Sequence, residues 1–304
     1  MFIEKRQAGK DIKYYLVHSY RDGREVRKIR KYLGRNLSAN EIVNAKKKAE
    51  KAIAEILAKT SVDIFSFSLS KNQIKILNRY DEKISIRHIG GWDWERFTEH
   101  FTYSTNAIEG STILPDEIPF ILKKKAAVDP EEIETRGAVE ALNYIRKTKE
   151  DLSPGLIKKL HKICFEGSKH FAGEFRKVDV VIRDGRGNIV HRGTSAGKLG
   201  GALDDMIRWY RSNKTKFKPL VLAAVIHNQF EHIHPFQDGN GRVGRLLLNF
   251  ILLRNGYPPI NILPDDRGEY YNSLQAYSKN MDIKPTLKFL IKQYKKTLIQ
   301  VTTK

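Results

Sequence analysis

Residues 234–245 read His-Pro-Phe-Gln-Asp-Gly-Asn-Gly-Arg-Val-Gly-Arg, and this stretch decides both the fold and the chemistry of the chain. Gly239 and Gly241 allow the backbone to take positive φ and to present successive N–H groups, which together form a concave site for an anion. A helix predicted to begin near Arg242 points its positive end at the same place. The sequence therefore predicts a phosphate-binding loop between two helices.

The polar side chains of this stretch supply the groups that phosphoryl chemistry needs. Asn240, Arg242 and Arg245 are donors, and arginine binds phosphate oxygens through two N–H groups at once. Asp238 is a carboxylate beside the predicted phosphates, where it would hold Mg²⁺. Histidine titrates near neutral pH, so His234 is suited to taking a proton from an attacking hydroxyl. A plain helix–loop–helix turn would need neither the acid nor two arginines, so we predict transfer of a phosphorus-bearing group from a nucleotide to a hydroxyl.

The same stretch resembles the signature of the Fic family, His-x-Phe-x-Asp/Glu-Gly-Asn-Gly-Arg-x-x-Arg, at every fixed position. The resemblance implies a helical domain that transfers AMP from ATP to a Ser, Thr or Tyr hydroxyl of a protein, with Mg²⁺ or Mn²⁺. It implies that His234 is the general base, that Asp238 binds the metal and that Phe236 packs under the loop. The implied phosphate contacts are Gly239, Asn240, Gly241 and Arg242 for the α- and β-phosphates and Arg245 for the γ-phosphate.

One position within the signature separates two reactions. The related Doc branch has a lysine at the position of Gly241, binds its nucleotide in the reverse direction and phosphorylates its target. Because this chain has glycine there, the resemblance favours transfer of AMP. A Doc-like protein kinase remains the alternative.

A second motif, Thr105-Asn106-Ala107-Ile108-Glu109-Gly110, resembles the inhibitory motif of the same family. Thr105 and Glu109 are four residues apart and lie on one face of a predicted inhibitory helix, about residues 93–110. The resemblance implies that Glu109 pairs with Arg245 and keeps the γ-phosphate from its productive position. Some members of this N-terminally inhibited class also remove AMP, with the glutamate positioning water, so that reaction stays open for this chain.

Two further regions resemble parts of the family. The segment from Gly173 through a predicted hairpin, Val178–Ile182 and Ile189–His191, resembles the flap that positions the target, about residues 174–193. By that resemblance the target is added as a strand along three flap residues: Ile189, Val190 and His191.

The predicted adenine site lies further along the chain. Tyr270 and Tyr271 stand where the family packs the adenine, although two tyrosines on a helix also suit a core. Ser278 stands near the position of an asparagine that often contacts the nucleotide in the family. The base contact at Ser278 therefore departs from the family pattern.

Outside these motifs the chain predicts a mainly α fold. Residues 66–304 are predicted to form a Fic-type helical bundle with a short β-hairpin flap. Apolar residues recur at helical spacing in eight segments: Trp94–Ile108, Glu131–Lys147, Pro154–Phe165, Gly197–Tyr210, Pro219–His232, Val243–Asn255, Glu269–Ser278 and Pro285–Leu298.

The sequence of residues 1–65 predicts a separate module, a β-meander followed by a helix. Ile12–Tyr20 alternates apolar and polar residues, Arg21-Asp22-Gly23-Arg24 is a hairpin turn signal, and Glu25–Leu33 is the returning strand. A capping box, formed by Ser38 and Glu41, precedes a predicted helix over Ile42–Leu57.

The first segment is also strongly basic, since residues 1–60 contain 16 lysines and arginines and 7 acidic residues. Such an excess suits nucleic acid, an acidic partner or a soluble surface. A hypothesis of a different class is therefore a nucleic-acid-binding regulator whose Fic-like core senses a nucleotide.

Composition limits the classes of protein to which this chain can belong. The 304 residues carry a formal net charge of +20 and are 40% hydrophobic and 30% charged, a balance typical of folded globular chains. Apolar runs are too short for a bilayer span, and the N-terminus lacks the apolar core of a signal peptide. The single cysteine, Cys164, excludes an intrachain disulfide and a Cys-rich zinc site. We predict a cytoplasmic protein with no membrane partner, and the family resemblance allows a homodimer.

Overall fold

The computed structural model describes residues 1–22, 25–60, 71–83, 92–127, 129–183 and 187–302, and it is mainly α-helical with two small antiparallel sheets. This confirms the predicted fold class. The chain divides into two compact units, residues 1–68 and 69–304.

The first unit is a three-stranded sheet followed by one helix. Its elements, with strand order β1-β2-β3, are β1 (Phe2–Ala8), β2 (Asp11–Asp22), β3 (Glu25–Arg35) and α1 (Ala39–Thr60). The sequence did not predict β1, because its residues are mostly exposed and alternate weakly. The predicted turn residues Gly23 and Arg24 lie outside the described residues.

Helix α1 begins at the predicted capping box. The Ser38 backbone N–H donates to Glu41 Oε2 at 2.9 Å, and the Glu41 N–H donates to Ser38 Oγ at 3.4 Å. The helix then buries Ala49 and Ile53 against Leu16 of β2. This small core fixes which face of the sheet α1 covers.

The second unit is a helical bundle that carries one hairpin. Its helices are α2 (Lys71–Asn78), α3 (Trp94–Ile108), α4 (Ile118–Lys123), α5 (Pro130–Lys147), α6 (Pro154–Phe165), α7 (Leu199–Asn213), α8 (Pro219–Ile233), α9 (Asn240–Arg254), α10 (Arg267–Asn280) and α11 (Lys284–Thr302). The hairpin strands are β4 (Val181–Arg183) and β5 (Ile189–Arg192). All eight predicted helices and the hairpin are confirmed, with ends shifted by a few residues.

Helices α8 and α9 form the centre of this unit. Nearly every residue of both helices is buried, and a helix that is buried on all sides belongs in the interior of a bundle. Helices α3, α5, α6, α7, α10 and α11 pack around them. Residues 234–239 connect α8 to α9, so the predicted phosphate loop is anchored on the two most buried helices.

No helix among the described residues is long and apolar enough to cross a bilayer. Cys164 is buried in α6, and burial raises the pKa of its thiol to about 12. The single cysteine is therefore a packing residue.

Candidate active site

The loop between α8 and α9 has left-handed backbone at both ends. His234 has φ 53° and ψ 62°, a region that non-glycine residues seldom adopt, and Gly239 has φ 79°. Helix α9 begins at Asn240, earlier than the predicted start near Arg242. The prediction of positive φ at Gly241 is therefore wrong, because Gly241 lies within the first helical turn.

Gly241 and Gly239 are needed for close contacts. A Cβ on Gly241 would lie 2.2 Å from Oε1 of Glu109, so any side chain there would displace this carboxylate. A Cβ on Gly239 would lie 2.4 Å from Cε2 of Phe165. The two glycines therefore let an acidic side chain and an aromatic ring approach the loop.

The Asn240 side chain closes the loop on itself. Its Oδ1 accepts from the Phe236 N–H at 2.9 Å, and its Nδ2 donates to the Phe236 carbonyl at 2.9 Å. The amide is thus occupied within the loop, whereas the family resemblance implied that Asn240 contacts a phosphate. Within the loop, the donors that remain for an anion are the backbone N–H groups in the first turn of α9.

Phe236 packs beneath the loop, as the family resemblance implied. Its ring stacks on His161 of α6 with centroids 3.8 Å apart. His161 Nε2 donates to the Asp238 carbonyl at 3.0 Å, and its Nδ1 accepts from the Gly173 N–H at 2.8 Å. Burial lowers the pKa of His161 to about 4, which keeps the ring neutral for both contacts. No local sequence pattern indicates this support, because the partners of His161 are distant along the chain.

Arg176 clamps the start of the loop. Its Nε donates to the His234 carbonyl at 2.7 Å, and its backbone N–H donates to the Pro235 carbonyl at 3.0 Å. The other guanidinium nitrogens donate to the carbonyls of Val178 and Thr194 on either side of the hairpin. Arg176 is 5% exposed, and burial lowers the pKa of its guanidinium. This one side chain ties the hairpin to the loop.

A chain of charges runs from Asp238 to Arg242 through two residues that the sequence analysis missed. Lys169 Nζ lies 2.9 Å from Asp238 Oδ2 and 3.1 Å from Glu134 Oε1. Glu134 in turn pairs with Arg242 Nη1, and the Arg242 guanidinium lies 4.3 Å from the centre of the Phe165 ring. The side chain of Arg242 thus faces Glu134 rather than open space for a phosphate.

Asp238 fits the predicted metal-binding role. Burial raises the pKa of its carboxyl, but Lys169 and Arg242 outweigh that effect, so the pKa lies below its ordinary value. The carboxylate is ionised and half exposed. Mg²⁺ in nucleotide sites commonly uses one or two carboxylates together with phosphate oxygens and water. Among the described residues no three His, Cys, Asp or Glu side chains could hold an ion by themselves, so an ion at Asp238 would complete its shell with phosphates and water.

Arg245 and Glu109 form an ion pair in which the arginine is buried and the carboxylate is partly exposed. Arg245 Nη2 donates to Glu109 Oε1 at 2.7 Å and to the Thr105 carbonyl at 2.8 Å, while Nε donates to Thr105 Oγ1 at 2.8 Å. Burial opposes the charge of Arg245, which is 1% exposed, but the adjacent Glu109 carboxylate raises its pKa above the ordinary value. Nη1 of Arg245 is buried and has no partner among the described residues. The predicted contact between the inhibitory motif and the second arginine is present in the structure.

Glu109, Arg245 and Gly241 line a cavity of about 470 Å³, a size that suits a nucleotide. Burial lowers the pKa of His234 to about 4, with smaller effects from nearby cations, so the imidazole is neutral. Ile182 and Val190 of the hairpin also line the cavity. In chain order the polar lining comprises Glu109, Arg183, His191, Asn228, Glu231, His232, His234, Gly241, Arg245, Arg267, Tyr270, Tyr271, Gln275 and Ser278.

The two predicted adenine-packing tyrosines have different environments. Tyr270 is buried, forms a hydrogen bond with His227 Nε2 at 2.9 Å and packs against Phe289. Tyr271 is 39% exposed and lines the same cavity. Tyr271 therefore has more surface to offer a ligand.

The predicted target-binding residues of the hairpin also differ from one another. Ile189 is exposed, whereas Val190 and His191 line the cavity. His191 is paired with Ile182 across the hairpin. The hairpin thus closes one side of the cavity and leaves Ile189 outside it.

Glu231 is an acidic residue of the cavity that the sequence analysis did not single out. Its Oε1 is buried and has no partner among the described residues, and a Cβ on Gly244 would lie 2.1 Å from that atom. Burial raises the pKa of Glu231 to about 8. Glu231 lies on α8, three residues before His234. This short spacing from the predicted general base is the sequence feature that could have identified it.

Comparison with known proteins finds a family model that matches part of this chain and several curated proteins that are similar to it. The family model described as the Fic/DOC family matches residues 151–252. A protein of Drosophila ananassae named Protein adenylyltransferase Fic is 33% identical over 213 residues, an alignment that covers 67% of this chain and 41% of the relative. The chain thus spans less than half the length of this curated relative.

Solved structures agree on the fold. A Fic family protein from Desulfovibrio desulfuricans has a TM-score of 0.64 at 21% identity, over 76% of this chain and 74% of that one. Fic-1 from C. elegans has a TM-score of 0.61 at 24% identity, over 88% of this chain and 78% of that one. Both structures support a common helical architecture.

Proposed function

Because this chain belongs, through residues 151–252, to the Fic/DOC family, we propose that it is a protein adenylyltransferase that transfers AMP from ATP to a hydroxyl side chain of a protein. One observation carries the proposal. A single cavity brings together the neutral imidazole of His234, the N-terminal turn of α9 and the ion pair of Arg245 with Glu109.

The chemistry follows from the positions of these groups. His234 takes the proton from the acceptor hydroxyl, whose oxygen forms a bond to the α-phosphorus of ATP. The bond from that phosphorus to the oxygen bridging to the β-phosphate breaks, and pyrophosphate leaves with the bond electrons. The backbone N–H groups at the start of α9 stabilise the negative charge on the phosphates.

Mg²⁺ or Mn²⁺ would bind at Asp238. When bound, the ion would neutralise charge on the phosphates. Lys169, which holds Asp238 Oδ2 at 2.9 Å, would then give up that oxygen, because a carboxylate oxygen is a ligand that Mg²⁺ prefers.

The Glu109 carboxylate makes the resting enzyme inhibited. It occupies Arg245 Nη2 and fills the space above Gly241. The γ-phosphate would therefore be repelled by the Glu109 carboxylate at the position where it should bind the Arg245 guanidinium. Transfer therefore requires Glu109 to leave Arg245. A signal that moves the end of α3 would serve as the activator.

The experiment is transfer of label from ATP labelled at the α-phosphate. Replacing Glu109→Gly is expected to raise transfer by about 10- to 100-fold, the range for one charge-assisted hydrogen bond. Adding His234→Ala to that variant should lower transfer by at least about 100-fold while ATP still binds. Equal labelling by the two variants would refute the role of His234.

The sheet of the first unit favours a second candidate function, binding of single-stranded nucleic acid. Leu16 packs on α1, so its neighbour Tyr15 faces the opposite side of the sheet. There Tyr15 and Tyr32 are cross-strand partners with ring centroids 5.4 Å apart, and Tyr32 is 55% exposed. Arg6 lies over the Tyr15 ring, and Arg30 is exposed on the same face. An exposed tyrosine ring beside a half-buried one, with two arginines that both also pair with Glu4, suits unpaired bases and their phosphates.

Fluorescence anisotropy of a labelled single-stranded oligonucleotide tests this surface. Tyr32→Ala should weaken binding by about tenfold, and binding should fall steeply with salt. Arg30→Ala on the sheet face should weaken binding more than Lys47→Ala on α1, although each removes one charge. Equal losses would mean that bulk charge, not this face, attracts the nucleic acid.

A further inference from the structure

Glu231 and Arg245 each have a polar atom beside the cavity that no contact uses. Both residues line the cavity. Oε1 of Glu231 and Nη1 of Arg245 are buried and have no hydrogen-bond partner among the described residues. The Glu231 residue as a whole is only partly buried, so its carboxyl also has a side toward the cavity.

The two unused atoms lie over the same face of α9. An added Cβ on Gly244 would lie 2.1 Å from Glu231 Oε1, and an added Cβ on Gly241 would lie 3.0 Å from Arg245 Nη1. Residues three apart on a helix have neighbouring Cβ positions on one face. The Glu231 carboxyl and the free edge of the Arg245 guanidinium therefore lie over neighbouring positions of α9.

The surroundings of Glu231 favour a neutral carboxyl. A buried carboxylate oxygen without a donor is costly, and the guanidinium that could pair with it already donates to Glu109 Oε1 at 2.7 Å. Burial raises the pKa of Glu231 to about 8, since it outweighs the opposing effect of Arg245, and the Glu109 carboxylate adds to the rise. At pH 7 Glu231 is therefore a carboxylic acid with a hydrogen to donate.

The other titratable groups around Glu231 carry no charge at pH 7. These groups are His227 on α8, His234 on the loop, and Tyr270 and Tyr271 on α10. Burial lowers the pKa values of the two histidines to about 4 and raises the pKa values of the two phenols. Among the described residues, the charges that act on Glu231 are therefore those of Arg245 and Glu109.

We propose that Glu231 is a binding residue for the terminal phosphate of ATP, to which its carboxyl donates a hydrogen bond beside Arg245 Nη1. The inference rests on the proposed use of ATP. A phosphate oxygen accepts hydrogen bonds from a guanidinium N–H and from a carboxylic O–H alike, whereas an ionised Glu231 would repel it. The charge of the phosphate in turn disfavours ionisation of Glu231, so the proton stays on the carboxyl.

Binding of ATP should consequently be linked to protonation of Glu231. Where the free carboxyl is ionised, it must take up a proton before a phosphate can bind beside it. Affinity for ATP should therefore fall as pH rises above the pKa of Glu231 in the free chain. Removal of Glu109 lowers that pKa from about 8, because it takes away the neighbouring negative charge.

The test is calorimetric binding of ATP with Mg²⁺ to the full chain carrying Glu109→Gly, which frees Arg245, and His234→Ala, which blocks transfer. At pH 8, two buffers with different enthalpies of ionisation give the number of protons taken up on binding. We expect an uptake of more than about half a proton with ATP and none with AMP, which lacks the β- and γ-phosphates. Between pH 7 and pH 9 the affinity for ATP should fall at least about tenfold.

Two further substitutions in this parent separate the donated hydrogen from the charge. Glu231→Gln keeps a donor but cannot ionise, so it should bind ATP within about threefold of the parent at pH 7, take up no proton and lose the pH dependence. Glu231→Ala should weaken ATP at least about tenfold at pH 7 and leave AMP unaffected. Glu140→Gln is the matched control, because Glu140 is an exposed acid that does not line the cavity.

Each outcome decides the inference. Binding of ATP without proton uptake would overturn it and leave the proposed transfer of AMP intact. Proton uptake that persists in Glu231→Gln, or that is equal for AMP and ATP, would overturn it as well. Failure of the parent to bind ATP would overturn both the inference and the proposed function. Uptake that is confined to ATP, abolished by Glu231→Gln and retained by Glu140→Gln would support the role of Glu231.

Discussion

Arg245 is held in place by three hydrogen bonds that it donates, two to Thr105 and one to Glu109. The Thr105 hydroxyl and carbonyl fix the plane of the guanidinium before any nucleotide arrives. Glu109 then only has to reach one edge of that plane. Thr105 is thus a second part of the proposed inhibitory contact, four residues before the carboxylate.

Replacing Thr105→Val should raise transfer about three- to tenfold, because the guanidinium loses its Nε partner and with it part of its fixed orientation toward Glu109. Incorporation of α-labelled ATP measures the effect. Thr102→Val is the control: Thr102 lies on the same helix, and its hydroxyl is buried without a partner among the described residues. Equal activation by both variants would contradict the account.

The residues of the site were predictable where a contact is encoded in a motif. His234, Arg245 and Glu109 stand in such motifs, and the structure brings them into one cavity. Lys169 and Glu134 were not predictable, because they act through Asp238 and Arg242 across distances along the chain that no local pattern records. Local pattern also could not reveal that Gly241 is required by Glu109.

At the scale of elements, the hairpin and the loop after α8 are joined by Arg176. Its buried guanidinium and backbone serve carbonyls of both segments. The hairpin is therefore not an independent arm, and its position over the cavity depends on this side chain. Gly193 permits the contact, since a Cβ there would lie 2.8 Å from Arg176 Nη2.

Arg176→Met should lower the free energy of unfolding by about 3 kcal/mol, because several buried carbonyls lose their donor. It should also reduce transfer, since the His234 carbonyl is one of them. Urea unfolding and label transfer are the two measurements. Lys177 is the exposed neighbour of Arg176, so Lys177→Met should change neither the free energy of unfolding nor the transfer of label. A loss of stability as large as that of Arg176→Met would show that the contacts of Arg176 do not stabilise the fold.

Element boundaries show what periodicity can and cannot predict. The eight helices with clear apolar spacing were predicted, whereas the short helices α2 and α4 were not. Helix α9 begins at Asn240 because the turn at Gly239 starts it there, although its apolar face begins only at Val243. Periodicity locates the buried face of a helix, while the backbone of the preceding turn decides its first residue.

At the scale of the whole molecule, buried titrating groups give stability a defined dependence on pH. Burial lowers the pKa values of four histidines to about 4: His161, His227, His232 and His234. Their unfolded forms bind protons from about pH 6.5 downward, while the folded forms do not. Stability should therefore fall as pH drops from 6.5 toward 4, by about 1.4 kcal/mol per pH unit for each proton taken up.

Glu231 affects the pH dependence of stability in the opposite direction to the four histidines. Its pKa is raised to about 8 in the fold, so between about pH 4.5 and 8 the folded form holds a proton that the unfolded form lacks. Stability should decline gently from pH 6.5 to pH 8, where the histidines no longer contribute. Glu231→Gln should abolish this decline in urea unfolding, and a decline of unchanged slope would show that another group causes it.

The whole-molecule predictions concern the division of the chain, its location and its assembly. The division into a small sheet unit and a helical unit is visible in the contacts of the chain. The cytoplasmic location, which was predicted from the single cysteine, and the homodimer, which the family resemblance allows, stay predictions. A motif predicts the chemistry of a site better than composition predicts cellular location or oligomeric state, because a motif specifies which residues come into contact.

The measurement that tests the central claim most directly is a comparison of ATP labelled at the α-phosphate with ATP labelled at the γ-phosphate, using the Glu109→Gly variant with Mg²⁺. His234→Ala in the same background is the control. The account predicts that label reaches protein only from the α-phosphate and that the control shows none. Label from the γ-phosphate alone would contradict it and would identify a Doc-like kinase despite Gly241.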